Sequence, residues 1–139
     1  MKYLFCLLFI SYTLNASEYT KYENIVIDET NKLMWQDNIE VTEYLENFTT
    51  APVYCENIVL NGYIDWRVPS INELVKIIDV DEKKAINKKF RYVKPTLYGT
   101  VSTFATNENR MWKVDFQTGQ VKVDGKSKES YIRCVRDIL

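Results

Sequence analysis

The densest group of side chains that could do chemistry in this sequence is a basic segment at residues 83–94. Lysine and arginine can hold a sulfated or phosphorylated polymer through charge-assisted hydrogen bonds, and an interleaved tyrosine can stack on a sugar ring. The candidate ligand-binding residues are Lys83, Lys84, Lys88, Lys89, Arg91, Tyr92 and Lys94. The alternative is a solvated loop, because Asp79, Asp81 and Glu82 lie beside the segment and partly cancel its field.

Other kinds of chemistry have little support in the composition. The chain contains no histidine, which removes the usual general base at neutral pH, the usual zinc ligand and every Ser-His or Cys-His arrangement. Its carboxylates form no recognisable acid/base pair or calcium loop. We therefore expect a protein that is not an enzyme and that has no cofactor and no metal site.

The first residues have the order of a secretory signal peptide. Lys2 supplies a positive start, residues 3–10 are apolar, and Ala16 and Ser17 give small residues at a cleavage point. The alternative is a membrane anchor, but the apolar run is far shorter than the roughly 20 residues that a bilayer requires. We expect a signal peptide at 1–16 and one domain at 17–139, periplasmic or secreted to the cell surface, with no membrane span after cleavage.

The charge of the mature protein argues against nucleic acid as a partner. Removal of residues 1–16 takes away one cation, Lys2, and no acid, so 18 basic residues become 17 against 19 acidic ones. The mature net charge is therefore about −2. A protein that neutralises phosphates needs a basic surface, so any polyanion binding would require a local patch.

Three cysteines give one expected disulfide. Cys6 leaves with the signal peptide, and Cys55 and Cys134 remain. Two cysteines in an oxidising compartment usually pair, and closing a loop of roughly 80 residues contributes on the order of 4.5 kcal/mol. The alternative is two free, buried thiols.

Two helices are expected in the first half of the chain. Thr50 can cap a helix that runs to about Leu60, with Cys55 and Val59 on its core face. Ser70 and Glu73 form a capping box before a second helix over about 71–79. Before both, a polar turn at 28–31 joins two short apolar runs, which predicts a β-hairpin.

The C-terminal third is typical of strands. Residues 101–105, 111–116 and 131–136 read as strands, and residues 117–119 form a turn before Val121 and Val123. In the last strand, alternation puts Arg136 on the face of Cys134, paired inside, and Arg133 on the surface. Helices first and strands later predict an α+β fold.

Several segments together resemble a known family. They are KLMWQD at 32–37, YCEN at 54–57, GYIDWRVPS at 62–70, WKVDF at 112–116 and RCVR at 133–136. Their order and spacing across nearly the whole mature chain are similar to those of the Lcl C-terminal domain family. This is a group of bacterial exported domains named after the terminal domain of a collagen-like adhesin.

The resemblance implies a C-type lectin-like fold, with two helices packed on an antiparallel sheet and a disulfide from a helix to the last strand. The adhesin that names the family binds sulfated glycosaminoglycans and forms trimers, whereas most relatives have no known activity. This chain lacks a collagen-like repeat and the Glu-Pro-Asn and Trp-Asn-Asp signatures of calcium-dependent lectins. Neither a stalk-driven trimer nor calcium-mediated sugar binding is therefore implied.

The Asp65-Trp66-Arg67 motif has two interpretations. In the first, Arg67 grips an anion while Trp66 stacks on the ligand. In the second, Trp66 fills the core while Asp65 and Arg67 fix the start of the second helix. The motif merges directly into the helix cap, which favours the architectural interpretation, and Trp35 and Trp112 are likewise expected in the core.

These observations lead to two hypotheses on function. The first is an exported, non-catalytic binding module for carbohydrate or a sulfated or anionic polymer at the cell surface. The alternative is a protein-interaction or structural component of the bacterial cell envelope, whose partner would be an envelope protein.

Overall fold

The computed structural model of the chain describes residues 18–139. The predicted signal peptide at 1–16 lies outside the described residues and stays a prediction. The helices are α1 (Ala51–Asn57) and α2 (Ile71–Leu74), and 3₁₀ helices cover Ile39–Thr42 and Val75–Ile77. The strands are β1 (Tyr19–Lys21), β2 (Asn24–Asp28), β3 (Leu33–Asp37), β4 (Leu45–Glu46), β5 (Leu97–Phe104), β6 (Asn107–Asp115), β7 (Gln120–Gly125), β8 (Ser130–Tyr131) and β9 (Val135–Asp137).

The strands form two sheets, and the α+β prediction is confirmed. One sheet has the order β1-β2-β3-β9 and the other β4-β8-β5-β6-β7. All pairings are antiparallel except that of β5 with β8, which is parallel. The expected antiparallel sheet is therefore confirmed in part: the pairing is antiparallel apart from β5 with β8, but the strands form two sheets, because the predicted strand at 131–136 divides into β8 and β9 and each part joins a different sheet.

The predicted hairpin is β2–β3, and it forms the centre of the protein. Ile25 lies opposite Gln36 and Val26 opposite Trp35. Every residue of β3 is buried, since Trp35 packs into one core cluster and Met34 into a second on the opposite face. Side chains alternate between the faces of a strand, so this sheet is covered on both sides.

Helix α1 differs from its prediction at both ends. Thr50 makes no side-chain cap; instead, Asn47 Oδ1 accepts hydrogen bonds from the Thr49 and Thr50 backbone N–H groups at 2.9 and 3.0 Å. The helix ends at Asn57 rather than near residue 60, and the chain then becomes extended. Val59 consequently lies outside the helix and is 63% exposed, so its expected place on the core face is wrong.

Helix α2 begins as predicted. Ser70 Oγ accepts from the Glu73 backbone N–H at 3.2 Å, and Glu73 Oε1 accepts from the Ser70 N–H at 2.9 Å, which confirms the capping box. The α-helix lasts for one turn and tightens into the 3₁₀ helix that ends at Ile77. It ends before residue 79 because Ile78 is extended and pairs with Ile86.

The irregular residues 80–96 pack against the turn between β6 and β7. Gly119 in that turn has φ +80°, a conformation that side chains with a Cβ disfavour. A Cβ there would come within 2.8 Å of Val80 Cγ1 and 3.0 Å of Ile78 Cγ2. The predicted turn at 117–119 is therefore confirmed, and its glycine is required for both backbone conformation and space.

Cys55 and Cys134 form the predicted disulfide. It joins α1 to the residue before β9 across 79 positions, with 5.7 Å between the Cα atoms. Disulfides persist in oxidising compartments, so the bond is compatible with a place outside the cytoplasm. Over residues 18–139, no helix is long and apolar enough to cross a membrane.

Candidate functional site

The basic segment 83–94 combines exposed cations with buried apolar anchors. Phe90 and Val93 point into the core beside Trp35, and Tyr92 is half-buried. The cationic side chains on either side of these anchors and between them are exposed to solvent, namely Lys83, Lys84, Lys88, Lys89, Arg91 and Lys94. The segment is thus a packed part of the domain whose charges all face outward.

A buried ion pair lies beneath this segment. Arg133 Nη1 is 3.1 Å from Asp37 Oδ1, and the two side chains are 0% and 1% exposed. Arg133 also donates to the backbone carbonyls of Gln36, at 2.6 Å, and of Tyr92. Its guanidinium carbon lies 4.9 Å from the ring centroid of Phe90. One arginine therefore joins β3, the basic segment and the chain before β9.

This placement reverses the prediction for the two arginines. Arg133, expected on the surface, is fully buried, whereas Arg136, expected inside, is half-buried. Arg136 donates to the Ile64 carbonyl at 2.9 Å and lies over the Tyr63 ring. The alternation failed as a guide because both faces of this sheet are covered, so sharing a face with Cys134 does not distinguish inside from outside.

The ion pair and a buried tyrosine hold the backbone of the segment. The Asp37 carboxylate accepts from the backbone N–H groups of Arg91, at 2.9 Å, and Tyr92, at 3.1 Å. The Tyr98 hydroxyl accepts from the Lys94 N–H at 3.0 Å and donates to the Val41 carbonyl at 2.6 Å. Burial raises the pKa of Tyr98 above its usual value, so this hydroxyl remains a donor at neutral pH.

The cations of the segment have no carboxylate partners in the described part of the chain. The ion pairs formed by residues 18–139 use other cations, namely Arg67, Lys113, Lys122 and Arg133. Lys84 donates only to the Val93 carbonyl, at 3.4 Å. The neighbouring Asp79 accepts from the Asp81 N–H instead of pairing with a lysine. The expected cancellation by nearby acids therefore does not take the form of direct pairs.

Three clefts meet at Arg91, which lines all of them. One of about 270 Å³ runs along Lys83, Lys84 and Lys88. A second of about 450 Å³ includes Lys84 and Lys94. The third, of about 410 Å³, lies between Arg91-Tyr92 and residues 21–24. Residues 21–24 were absent from the predicted site, because they are about 70 positions away and carry no motif.

The three tryptophans do not share one environment. Trp35 and Trp66 are fully buried, and the Trp66 indole N–H donates to the Tyr63 carbonyl at 2.9 Å. Trp112 is only half-buried. Its ring packs nearly perpendicular to that of Phe104, with 5.2 Å between the ring centroids. Its expected place in the core is therefore wrong: Met111 and Lys113 on either side of it are buried, but on the face of β6 that Trp112 shares with Val114 the buried positions begin at Val114.

Arg67 has its donors occupied by protein carboxylates. Its two terminal nitrogens each lie 2.7 Å from one oxygen of Glu73, and Nη2 is also 3.0 Å from Asp137. Burial raises the pKa of the Glu73 carboxyl, but hydrogen bonds from Arg67 and Ser70 outweigh this and hold the pKa below its usual value. This geometry favours the architectural interpretation for Arg67, whose guanidinium binds the first turn of α2 instead of a ligand. Asp65 is exposed, with φ +64°, in the loop before Trp66.

No group of three or more acidic or cysteine side chains within residues 18–139 is placed to hold a metal ion.

The model of the Lcl C-terminal domain family matches residues 24–136, well over half of the sequence, so this chain belongs to that family. No curated protein is similar enough in sequence to match the chain.

Proposed function

We propose that this member of the Lcl C-terminal domain family is an exported, non-catalytic module that binds an anionic polymer, such as a sulfated glycan, through the basic segment 83–94. The observation that carries the proposal is a set of six exposed cations that have no carboxylate partner within residues 18–139, on a backbone held by Asp37 and Tyr98. The periplasm or the cell surface is the proposed location, which the disulfide supports.

The physical support is preorganisation of like charges. Crowded cations repel one another, and an anionic chain laid along them relieves that repulsion while it forms charge-assisted hydrogen bonds. Because the backbone is already ordered, binding requires the ordering of side chains only, which lowers its entropic cost. The three clefts that share Arg91 lie along the segment and beside residues 21–24, where such a chain could contact several cations at once.

We also propose that the fold is C-type lectin-like. The support is the pair of helices, the two sheets and the long-range disulfide from α1 to the chain before β9. Fold alone does not identify a ligand, so the binding proposal depends on the surface and not on this classification.

The test is retention of the oxidised protein on immobilised heparin across a salt gradient. We expect retention beyond physiological salt, where surface charges further apart than about 8 Å are screened. A Lys88→Gln/Lys89→Gln variant should elute at lower salt. The matched control, Lys76→Gln/Lys128→Gln, makes the same change in net charge at exposed positions outside the segment and should elute like the unaltered protein.

Two results would contradict the proposal. If the unaltered protein flows through at low salt, it does not bind sulfated polymers. If both double variants elute equally early, retention follows net charge and the basic segment is not a site.

The second candidate is a protein-interaction component of the envelope, favoured by an apolar surface on α1. A cleft of about 460 Å³ lies beside Val53 and Tyr54, and Val53 is 58% exposed. A photo-crosslinking residue at position 53 should capture one defined envelope protein, whereas the same residue in place of Val121, an exposed valine on β7, should not. If the same proteins are captured at positions 53 and 121, α1 does not carry a specific protein-binding surface.

A further inference from the structure

The cleft of about 410 Å³ beside Arg91 has a composition distinct from the rest of the basic surface. It joins the turn between β1 and β2 to the middle of the basic segment. Two cations, two tyrosines, an amide and two carboxylates line it, namely Lys21, Tyr22, Glu23, Asn24, Asp37, Arg91 and Tyr92. Its volume is within the range of roughly 300–1,000 Å³ that small-molecule sites occupy.

The first wall, the turn at residues 22–25, is held by hydrogen bonds to its neighbours. The Tyr22 N–H donates to the Ile25 carbonyl at 3.0 Å. Asn61 Nδ2 donates to the Glu23 carbonyl at 2.6 Å, and Asn24 Nδ2 donates to Asn61 Oδ1 at 3.4 Å. Asn24 has φ +67°, a conformation that asparagine tolerates better than most residues. The wall is therefore built before any ligand arrives.

The second wall is fixed by the buried ion pair and by aromatic packing. Asp37 and Arg133 hold the backbone of Tyr92 from both its N–H and its carbonyl. The ring of Tyr19 in β1 packs edge-to-face with that of Phe90, with 6.1 Å between the ring centroids, and this contact brings β1 against the basic segment. Both walls of the cleft are thus surface segments that hydrogen bonds and packing hold to the domain.

The charge of the cleft suits one negative group. Asp37 is already compensated by Arg133 and by two backbone N–H donors. Lys21 and Arg91 then face a single acid, Glu23, and neither cation belongs to an ion pair formed within residues 18–139. A carboxylate is a planar match for the two-pronged guanidinium of arginine, so one carboxylate would balance the remaining charge.

The tyrosines supply faces for an apolar ring surface. Tyr22 is 50% exposed at the cleft. The Arg91 guanidinium carbon lies 5.3 Å from the Tyr92 ring centroid, which keeps the cation beside the ring. A ligand with a flat apolar face, several hydroxyls and one carboxylate would use the tyrosines, Asn24 and the two cations together.

On these grounds we propose that the cleft between residues 21–24 and Arg91-Tyr92 is a subsite for one uronic acid unit of an acidic polysaccharide. Tyr22 stacks on the sugar ring, and Lys21 and Arg91 bind its carboxylate. This inference rests on the proposed function, because the polymer would continue from the cleft along segment 83–94.

The test uses amide NMR of the isotope-labelled, oxidised protein titrated with a galacturonic acid trimer. The control ligand is the same trimer with its carboxylates reduced to alcohols. We expect the amide signals of Tyr22, Asn24 and Tyr92 to shift with the acid and not with the alcohol. Tyr22→Ala should raise the dissociation constant by about fivefold, which corresponds to about 1 kcal/mol, whereas Tyr44→Ala, an exposed tyrosine outside the cleft, should leave it unchanged.

The outcomes distinguish failure of the uronic acid subsite from failure of the proposed polymer-binding function. Binding of the reduced trimer as tightly as the acid, or equal effects of the two tyrosine substitutions, overturns the subsite. If heparin retention persists while the uronate trimer does not bind, the subsite fails and the proposed function stands. If neither ligand is held, both fail.

Discussion

Removal of the buried arginine should produce a large loss of stability. In Arg133→Met, the guanidinium that neutralises Asp37 is replaced by an apolar side chain of similar length. The Asp37 carboxylate would keep its two backbone N–H donors but lose its counter-charge in a site where it is 1% exposed. The backbone carbonyls of Gln36 and Tyr92 would lose a donor as well.

The magnitude follows from leaving one charge buried and unpaired. Such a break costs about 3–5 kcal/mol, in a domain whose total stability is of the order of 5–15 kcal/mol. For a domain of this size, each kcal/mol lowers Tm by about 4 °C. The expected decrease in Tm is therefore roughly 12–20 °C. The Asp37→Asn/Arg133→Met double variant should lose less than Arg133→Met alone, because no buried charge remains.

The assays are urea unfolding of the oxidised protein for the free energy of unfolding and thermal unfolding for Tm, both followed by the fluorescence of its buried tryptophans. Arg136→Met is the matched control, because Arg136 is half-buried and makes one hydrogen bond to a backbone carbonyl; its loss should be about 1 kcal/mol. Equal losses for the two arginines would refute the reasoning, since burial of the Asp37 charge would then contribute nothing measurable.

Two further predictions concern local features of the fold. The pKa of Glu73 is lowered in the folded state, so its stabilising effect is present above its unfolded pKa of about 4.3 and is lost as pH falls through the folded value. Glu73→Gln should therefore reduce the pH dependence of the free energy of unfolding below about pH 5. At pH 7 it should cost about 1 kcal/mol or less, because its partner Arg67 is 38% exposed. If urea unfolding gives the same pH dependence for the variant and the unaltered protein, this prediction is wrong. Gly119→Ala should destabilise by more than about 2 kcal/mol, because strain at φ +80° adds to close contacts. Gly62→Ala, at φ +78° with no atom within 4 Å of the new Cβ, should cost only about 1–2 kcal/mol in thermal unfolding, and equal losses would exclude the steric contribution.

Local signals in the sequence were sufficient for several elements. The β2–β3 hairpin, the Ser70–Glu73 capping box and the glycine turn at 117–119 each depend on residues a few positions apart. The disulfide was predictable for a different reason, because only two cysteines remain after the predicted cleavage. None of these requires knowledge of the tertiary packing.

The failed predictions all required that knowledge. Val59 continues the apolar spacing of α1, but the helix ends at Asn57 and leaves it exposed. Trp112 shares a face of β6 with the buried Val114, yet it is itself only half-buried. Arg133 is charged and lies in an alternating segment, which suggests the surface. Its burial is explained by distant partners, namely the carboxylate of Asp37, 96 positions away, and the carbonyls of Gln36 and Tyr92.

The candidate site was half predictable. The basic segment was evident from composition, because its cations lie within twelve consecutive residues. The cleft between residues 21–24 and Arg91-Tyr92 was not, since Lys21 and Tyr22 approach Arg91 through the packing of β1 on Phe90. A binding surface assembled from distant segments leaves no local pattern to find.

The buried pair should also affect binding, although neither residue is exposed. Arg133 and Asp37 hold the backbone at Arg91 and Tyr92, and a freed segment must be ordered again when the polymer binds, at a cost of about 1–2 kcal/mol per residue that becomes mobile. Arg133→Met, assayed at a temperature where it remains folded, should therefore elute from heparin at lower salt than Arg136→Met, although both lose one positive charge. Equal elution would mean that Phe90, Val93 and the Tyr98 hydroxyl hold the segment in place without the ion pair, and that the ion pair contributes to stability without organising the surface.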